Sequence, residues 1–103
     1  MKEMNNLAKI YRNPDFIFRN VAGEAVLIPL LKNVADLEAI YTLNEVGVFI
    51  WERLENPVTI DELTHEIMME FEVDQDVLEA DMKQFIHELK ESKIILEVEN
   101  ESL

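Results

Sequence analysis

The spacing of apolar residues changes once along this chain, at Asn44, and the change divides it into two kinds of element. Before that point the apolar residues sit in short aromatic and β-branched runs. Asp15-Phe16-Ile17-Phe18-Arg19 is one such run, and Glu24-Ala25-Val26-Leu27-Ile28 is a second. The turn-like Asn20-Val21-Ala22-Gly23 separates them, and Pro29, which cannot donate to a ladder, closes the second. Residues 30–36 match neither period. Glu38-Ala39-Ile40-Tyr41-Thr42-Leu43 reads as a third strand, with Ala39, Tyr41 and Leu43 on one face and Ile40 and Thr42 on the other.

From Asn44 onward the period is helical. Val46, Phe49, Ile50 and Leu54 recur on one face, which Trp51 widens. Asn44 is the expected N-cap, Thr42-Leu43-Asn44-Glu45 offers a capping box one turn earlier, and Pro57 is expected to end the helix. Thr59-Ile60-Asp61-Glu62 has the form of a capping box and opens a second helix with Leu63, Ile67 and Met68 inward. Asp74 or Asp76 caps a third, whose stripe of Leu78, Met82, Phe85, Ile86 and Leu89 should face the core. Ile94 to Val98 reads as a short strand or packed tail. The expectation is one α+β domain over residues 1–103, its core about 14–98 and its ends frayed. A three-stranded antiparallel sheet followed by three helices is compatible with a winged-helix-like arrangement.

Charge narrows the partners. The net charge is −13, and residues 55–103 hold fifteen acids against three bases, whereas residues 1–54 hold seven against six. An acidic half of this kind repels nucleic acid, whose binding depends on Lys and Arg displacing counterions from phosphate. The absence of cysteine excludes thiol chemistry and disulfides and suits a reducing compartment. With no signal-like start and no apolar run near the ~20 residues of a bilayer span, a soluble cytoplasmic protein with no membrane contact is expected.

Nothing in the chain assembles a catalytic constellation. Neither His65 nor His87 lies in a His-Glu-x-x-His motif, and Asp61 with His65 supplies only two ligands on one helix. Carboxylate pairs such as Glu62 with Glu66 fit a solvated helix face better than acid–base chemistry. The two glycines, Gly23 and Gly47, form no phosphate loop, and no nucleophile elbow surrounds Ser92 or Ser102. The reading is of a non-enzyme without cofactor or metal.

The segment Tyr41-Thr42-Leu43-Asn44-Glu45-Val46-Gly47-Val48-Phe49-Ile50-Trp51 resembles the signature of the PqqD-like family, in which a strand ending in Leu-Asn enters a helix carrying a small residue and then Ile-Trp. Thr59 to Leu63 and Val77 to Leu89 resemble that family's second and third helices, so the likeness covers roughly residues 14–96. The chain departs at turns: Glu55-Asn56-Pro57 follows the first helix, and Ser92-Lys93 precedes the final apolar pair, where the family commonly has glycine. Gly47 inside a helix costs about 1 kcal/mol relative to Ala, which implies close approach to a neighbouring element. Trp51 is read as a core anchor more than a ligand contact.

The resemblance implies a recognition element for ribosomally made peptides. Such domains take the leader of a precursor peptide as an added strand on their third strand, against their third helix, and present it to a modifying enzyme, often of the radical S-adenosylmethionine type. Carried onto this chain, the receptive edge is Glu38, Ala39, Ile40, Tyr41, Thr42 and Leu43, and the facing flank of the third helix is Val77, Asp81, Gln84 and Glu88. The acids of that flank favour a leader with Lys or Arg beside its apolar anchors. Two rivals remain: an adaptor that pairs the same edge with a protein partner, including a second copy in a homodimer, and a winged-helix DNA regulator. The helix that would read DNA, residues 74–91, holds Lys83 and Lys90 against six acids, which disfavours the last.

Overall fold

The computed structural model describes residues 8–30 and 40–98. Glu38 and Ala39, expected from sequence to belong to the receptive edge, lie outside these residues.

The expected antiparallel sheet is formed by β2 (Phe16–Val21), β3 (Glu24–Pro29) and β4 (Tyr41–Leu43), in that order. Strands β2 and β3 form a hairpin in which Val21 pairs with Glu24, leaving Ala22 and Gly23 as a two-residue turn. Both have positive φ, 51° and 85°, as the twist-matched primed hairpin turns require. On β3, Leu27 pairs with Tyr41, Val26 with Thr42 and Ala25 with Leu43 of β4.

Beside the expected sheet lies a second one, ordered β5–β1–β6, which the sequence pattern does not display. Strand β1 (Lys9–Arg12) lies between β5 (Val58–Thr59) and β6 (Ile95–Glu97), so the core begins before residue 14. Ile10 is 1% exposed at its centre. Backbone bonds extend this sheet into the rest of the fold: Arg12 N–H donates to the Leu54 carbonyl at 3.0 Å, and Asn13 N–H to that of Ile94 at 2.9 Å. Two to four residues are too few to display a period, which is why β1 and β5 escape a pattern reading.

The three helices start where their caps place them. Helix α1 (Glu45–Arg53) follows Asn44, whose Oδ1 accepts from Gly47 N–H at 2.8 Å. It ends four residues before Pro57, which precedes β5 instead of terminating the helix. Helix α2 (Ile60–Glu70) has the full capping box, with Glu62 N–H donating to Thr59 Oγ1 and Thr59 N–H donating to Glu62 Oε1, both at 3.0 Å. Helix α3 (Gln75–Glu91) is capped by Asp74, which accepts from Asp76 and Val77. Leu78, Met82, Ile86 and Leu89 of α3 are buried, whereas Phe85 is half-buried beside them.

One family-related departure has a structural cost. At the end of α3, Lys93 N–H donates to the Lys90 carbonyl and Ile94 N–H to that of Leu89, forming a Schellman motif with Lys93 at φ 63°. A side chain in this left-handed region strains the backbone by about 1 kcal/mol. The buried pair Leu89 and Ile94 supplies the apolar contact that usually accompanies the motif. The Lys90–Glu97 ion pair, 2.7 Å, then ties α3 to β6.

Candidate functional site

Strand β4 is an edge of its sheet among the described residues. Every second residue of an edge strand points its N–H and C=O away from its partner, so such a strand is a template for another. Its C-terminal end is fixed by the first turn of α1. A Cβ added to Gly47 would lie 3.1 Å from Leu43 Cδ2, 3.3 Å from Leu43 Cβ and 3.4 Å from Asn44 Oδ1. The glycine of α1 therefore permits close approach to the end of β4, as its position within a helix implied.

Between β4, the start of α1 and one face of α3 runs an open groove of about 570 Å³. Tyr41, Thr42 and Leu43 line it from the strand, and Val77, Asp81, Gln84 and Glu88 from the helix. Three of the six strand residues named from sequence thus line one groove with the four named on α3. Ile40 is exposed immediately before β4, outside both the strand and the groove lining. Sequence reasoning missed several contributors: Val73 precedes α3, Asn44, Val46, Gly47 and Ile50 belong to the α1 region, and Phe85 was assigned wholly to the core. The half-burial of Phe85, at the edge of the α3 stripe, is the signal that its position allows.

The groove has an apolar end and an acidic end. Val73 and Val77 are exposed at the start of α3, Val77 at 58%. Farther along, Tyr41 packs edge-on against Phe85 with ring centroids 6.5 Å apart, and its hydroxyl donates to Glu88 Oε1 at 3.1 Å. Gln84 donates to the other oxygen of Glu88 at 3.4 Å. Burial raises the Tyr41 pKa above its usual value, and the hydrogen bond to Glu88 and the charge of that carboxylate raise it further. Among the described residues neither Lys nor Arg lines the groove.

The other candidates named from sequence are dispersed. His65 and Asp61 are exposed on α2, and the described residues hold no group of three or more side chains suited to a metal. Trp51 is a core residue whose ring lies 5.2 Å below the Arg12 guanidinium, while Arg12 Nη1 donates to the Trp51 carbonyl. No helix among the described residues is long and apolar enough to cross a membrane.

A family model described as coenzyme PQQ synthesis protein D (PqqD) matches residues 24–95, from the start of β3 into β6. A solved structure described as TbiB1 in complex with the TbiA(beta) leader peptide aligns with a TM-score of 0.67 and 22% identity. The alignment covers 87% of this chain and 99% of that one. At that identity the likeness shows the fold: α+β, with antiparallel sheets and three helices. No curated protein sequence gives a significant match.

Proposed function

The chain belongs to the PqqD family, and from that premise we propose that it is a non-catalytic module that captures the leader of a ribosomally made precursor peptide and presents it to a modifying enzyme. The observation that carries this reading is the groove itself, in which β4, an edge strand among the described residues, faces the exposed flank of α3. An extended peptide laid there gains main-chain hydrogen bonds from β4 and side-chain contacts from α3, the division of labour of β-strand addition. The structural neighbour is a complex with a leader peptide, which supports the same ligand class here.

The modifying enzyme proposed is of the radical S-adenosylmethionine type, as the family resemblance implies. A cysteine-free protein of this role suits the cytoplasm, where precursor peptides are made. The test is an NMR titration of labelled protein with leader peptides of short open reading frames that neighbour its gene. Shifts at the amides of Tyr41 to Leu43 and along the Val77–Glu88 flank, with new cross-strand contacts to β4, are expected. Binding that leaves β4 unperturbed would overturn strand addition.

A further inference from the structure

Building on the leader-capture reading, we propose that the groove selects a strand of defined polarity: an apolar residue toward its N-terminal end, then basic residues about two and four positions later. For a strand added antiparallel to β4, as the leader-capture reading has it, the direction along α3 follows from how the two walls run. On the strand side the lining starts at Tyr41 and continues to Gly47. On the α3 side it reaches from Val73 to Glu88 and stops there. Tyr41 touches Phe85 and Glu88, at the far end of that flank. Strand β4 and helix α3 therefore run in opposite directions along the groove. A peptide antiparallel to β4 runs with α3, entering beside Val73 and Val77 and leaving beside Glu88.

The spacings agree with an alternating pattern. Val77 and Asp81 are four helical residues apart, a rise of about 6 Å. Two residues of an extended strand span about 6.7 Å and return to the same face. An apolar side chain over Val77 therefore places the next facing side chain at Asp81. Glu88 lies about 10 Å beyond Asp81 along the axis. The next facing position falls a few ångströms short of it, a gap that a Lys or Arg stem spans by extending its charged head.

Charge commits the occupant to a basic peptide. Asp81 is exposed, and Glu88 keeps acceptor capacity after receiving Tyr41 and Gln84, because an ionised carboxylate has about four lone-pair sites. Among the described residues neither Lys nor Arg lies on the lining, so an acidic leader finds no counter-charge from them in the groove. The fifteen acids of residues 55–103 add a field that draws a cationic peptide and repels an anionic one.

The experiment uses the full chain and four fluorescent peptides of about a dozen residues, sharing one polar host. Their central segments are Val-Thr-Lys-Thr-Lys, its reverse Lys-Thr-Lys-Thr-Val, Val-Thr-Gln-Thr-Gln and Val-Thr-Glu-Thr-Glu. At low ionic strength the first should bind about tenfold tighter than the reversed and neutral peptides, with the acidic one weakest. Added salt should narrow the gap. The double variant Asp81→Asn with Glu88→Gln should lose most of the preference for the basic over the neutral peptide, and added salt should remove what the remaining acids supply. If all four bind equally and shift the amides of Tyr41 to Leu43, the selectivity proposal falls and leader capture stands. If none perturbs β4 or α3, both fall. If those amides instead shift with protein concentration alone, a second copy fills the groove and the proposal is overturned.

Discussion

The sheet β2–β3–β4 is assembled from neighbours along the chain, whereas β5–β1–β6 gathers three strands that the helices separate. The first presents its edge strand β4 to a groove, and its outermost strand β2 exposes Phe18 and Val21. The second is buried at its central strand, where Ile10 is 1% exposed, and at the start of β6, where Ile95 is equally so. Both sheets feed the core, the first through Leu27 and Leu43, but on the leader-capture reading only the first lends an edge to the groove. Changes in the second sheet should register as stability, and changes beside β4 as binding.

The largest effect should come from Ile10→Ala. It removes a fully enclosed side chain between β5 and β6, and such truncations cost about 2–5 kcal/mol. Chemical denaturation should show a lower midpoint at unchanged slope, while the protein still folded keeps its peptide affinity. A comparable loss of affinity in the folded fraction would break the division between the sheets. Val77→Asp should do the reverse. Val77 is 58% exposed, so stability should change by less than about 0.5 kcal/mol, whereas peptide affinity should fall about tenfold or more as the apolar end of the groove acquires a charge. Paired anisotropy and denaturation measurements on the two variants check both halves.

These two sheets also differ in how visible they are in sequence. The β2–β3 hairpin is legible because runs of apolar residues flank a turn with Gly23. The helices are legible because Asn44, Thr59 with Glu62, and Asp74 are local caps in front of periodic stripes. Strands β1 and β5 are not, since Lys9–Arg12 and Val58–Thr59 owe their conformation to partners up to 87 residues away, as the Ile10–Glu97 pairing shows. The groove is legible in its parts: strand residues from the family resemblance, and helix residues from spacing along α3. Its cross-link is not, because Tyr41 and Glu88 are 47 residues apart and nothing local joins them.

Backbone strain gives a smaller and opposite effect. Lys93→Gly relieves the left-handed residue at the junction of α3 and the second sheet and should raise stability by about 0.5–1 kcal/mol, net of the greater freedom of glycine in the unfolded chain. Ala22→Asn in the hairpin of the first sheet should stabilise by a smaller amount, since Asn tolerates the same region. Thermal melts of both variants rank the two junctions. A destabilised Lys93→Gly variant would mean that contacts of the lysine stem outweigh the strain.

The smallest effect concerns the Tyr41–Glu88 link across the groove, and it depends on pH. The Tyr41 hydroxyl is favoured in its protonated form in the fold, first by burial and then by the Glu88 carboxylate that accepts its proton in a hydrogen bond. Its folded pKa is thus raised above the ordinary 10.0. Since the folded protein then binds the phenolic proton more tightly than the unfolded chain does, this contribution to stability is fully present below pH 10. It is lost as pH rises from there through the folded pKa, where phenolate and carboxylate would face each other. Tyr41→Phe removes the group that titrates, so its stability should not carry this step, although both proteins share every other alkaline loss. Denaturation midpoints of the two proteins, compared between neutral pH and pH above 10, should therefore converge as pH rises. If the gap between them stays constant, the Tyr41 proton is not shared with Glu88 in solution, and the acidic end of the groove is open without a peptide to open it.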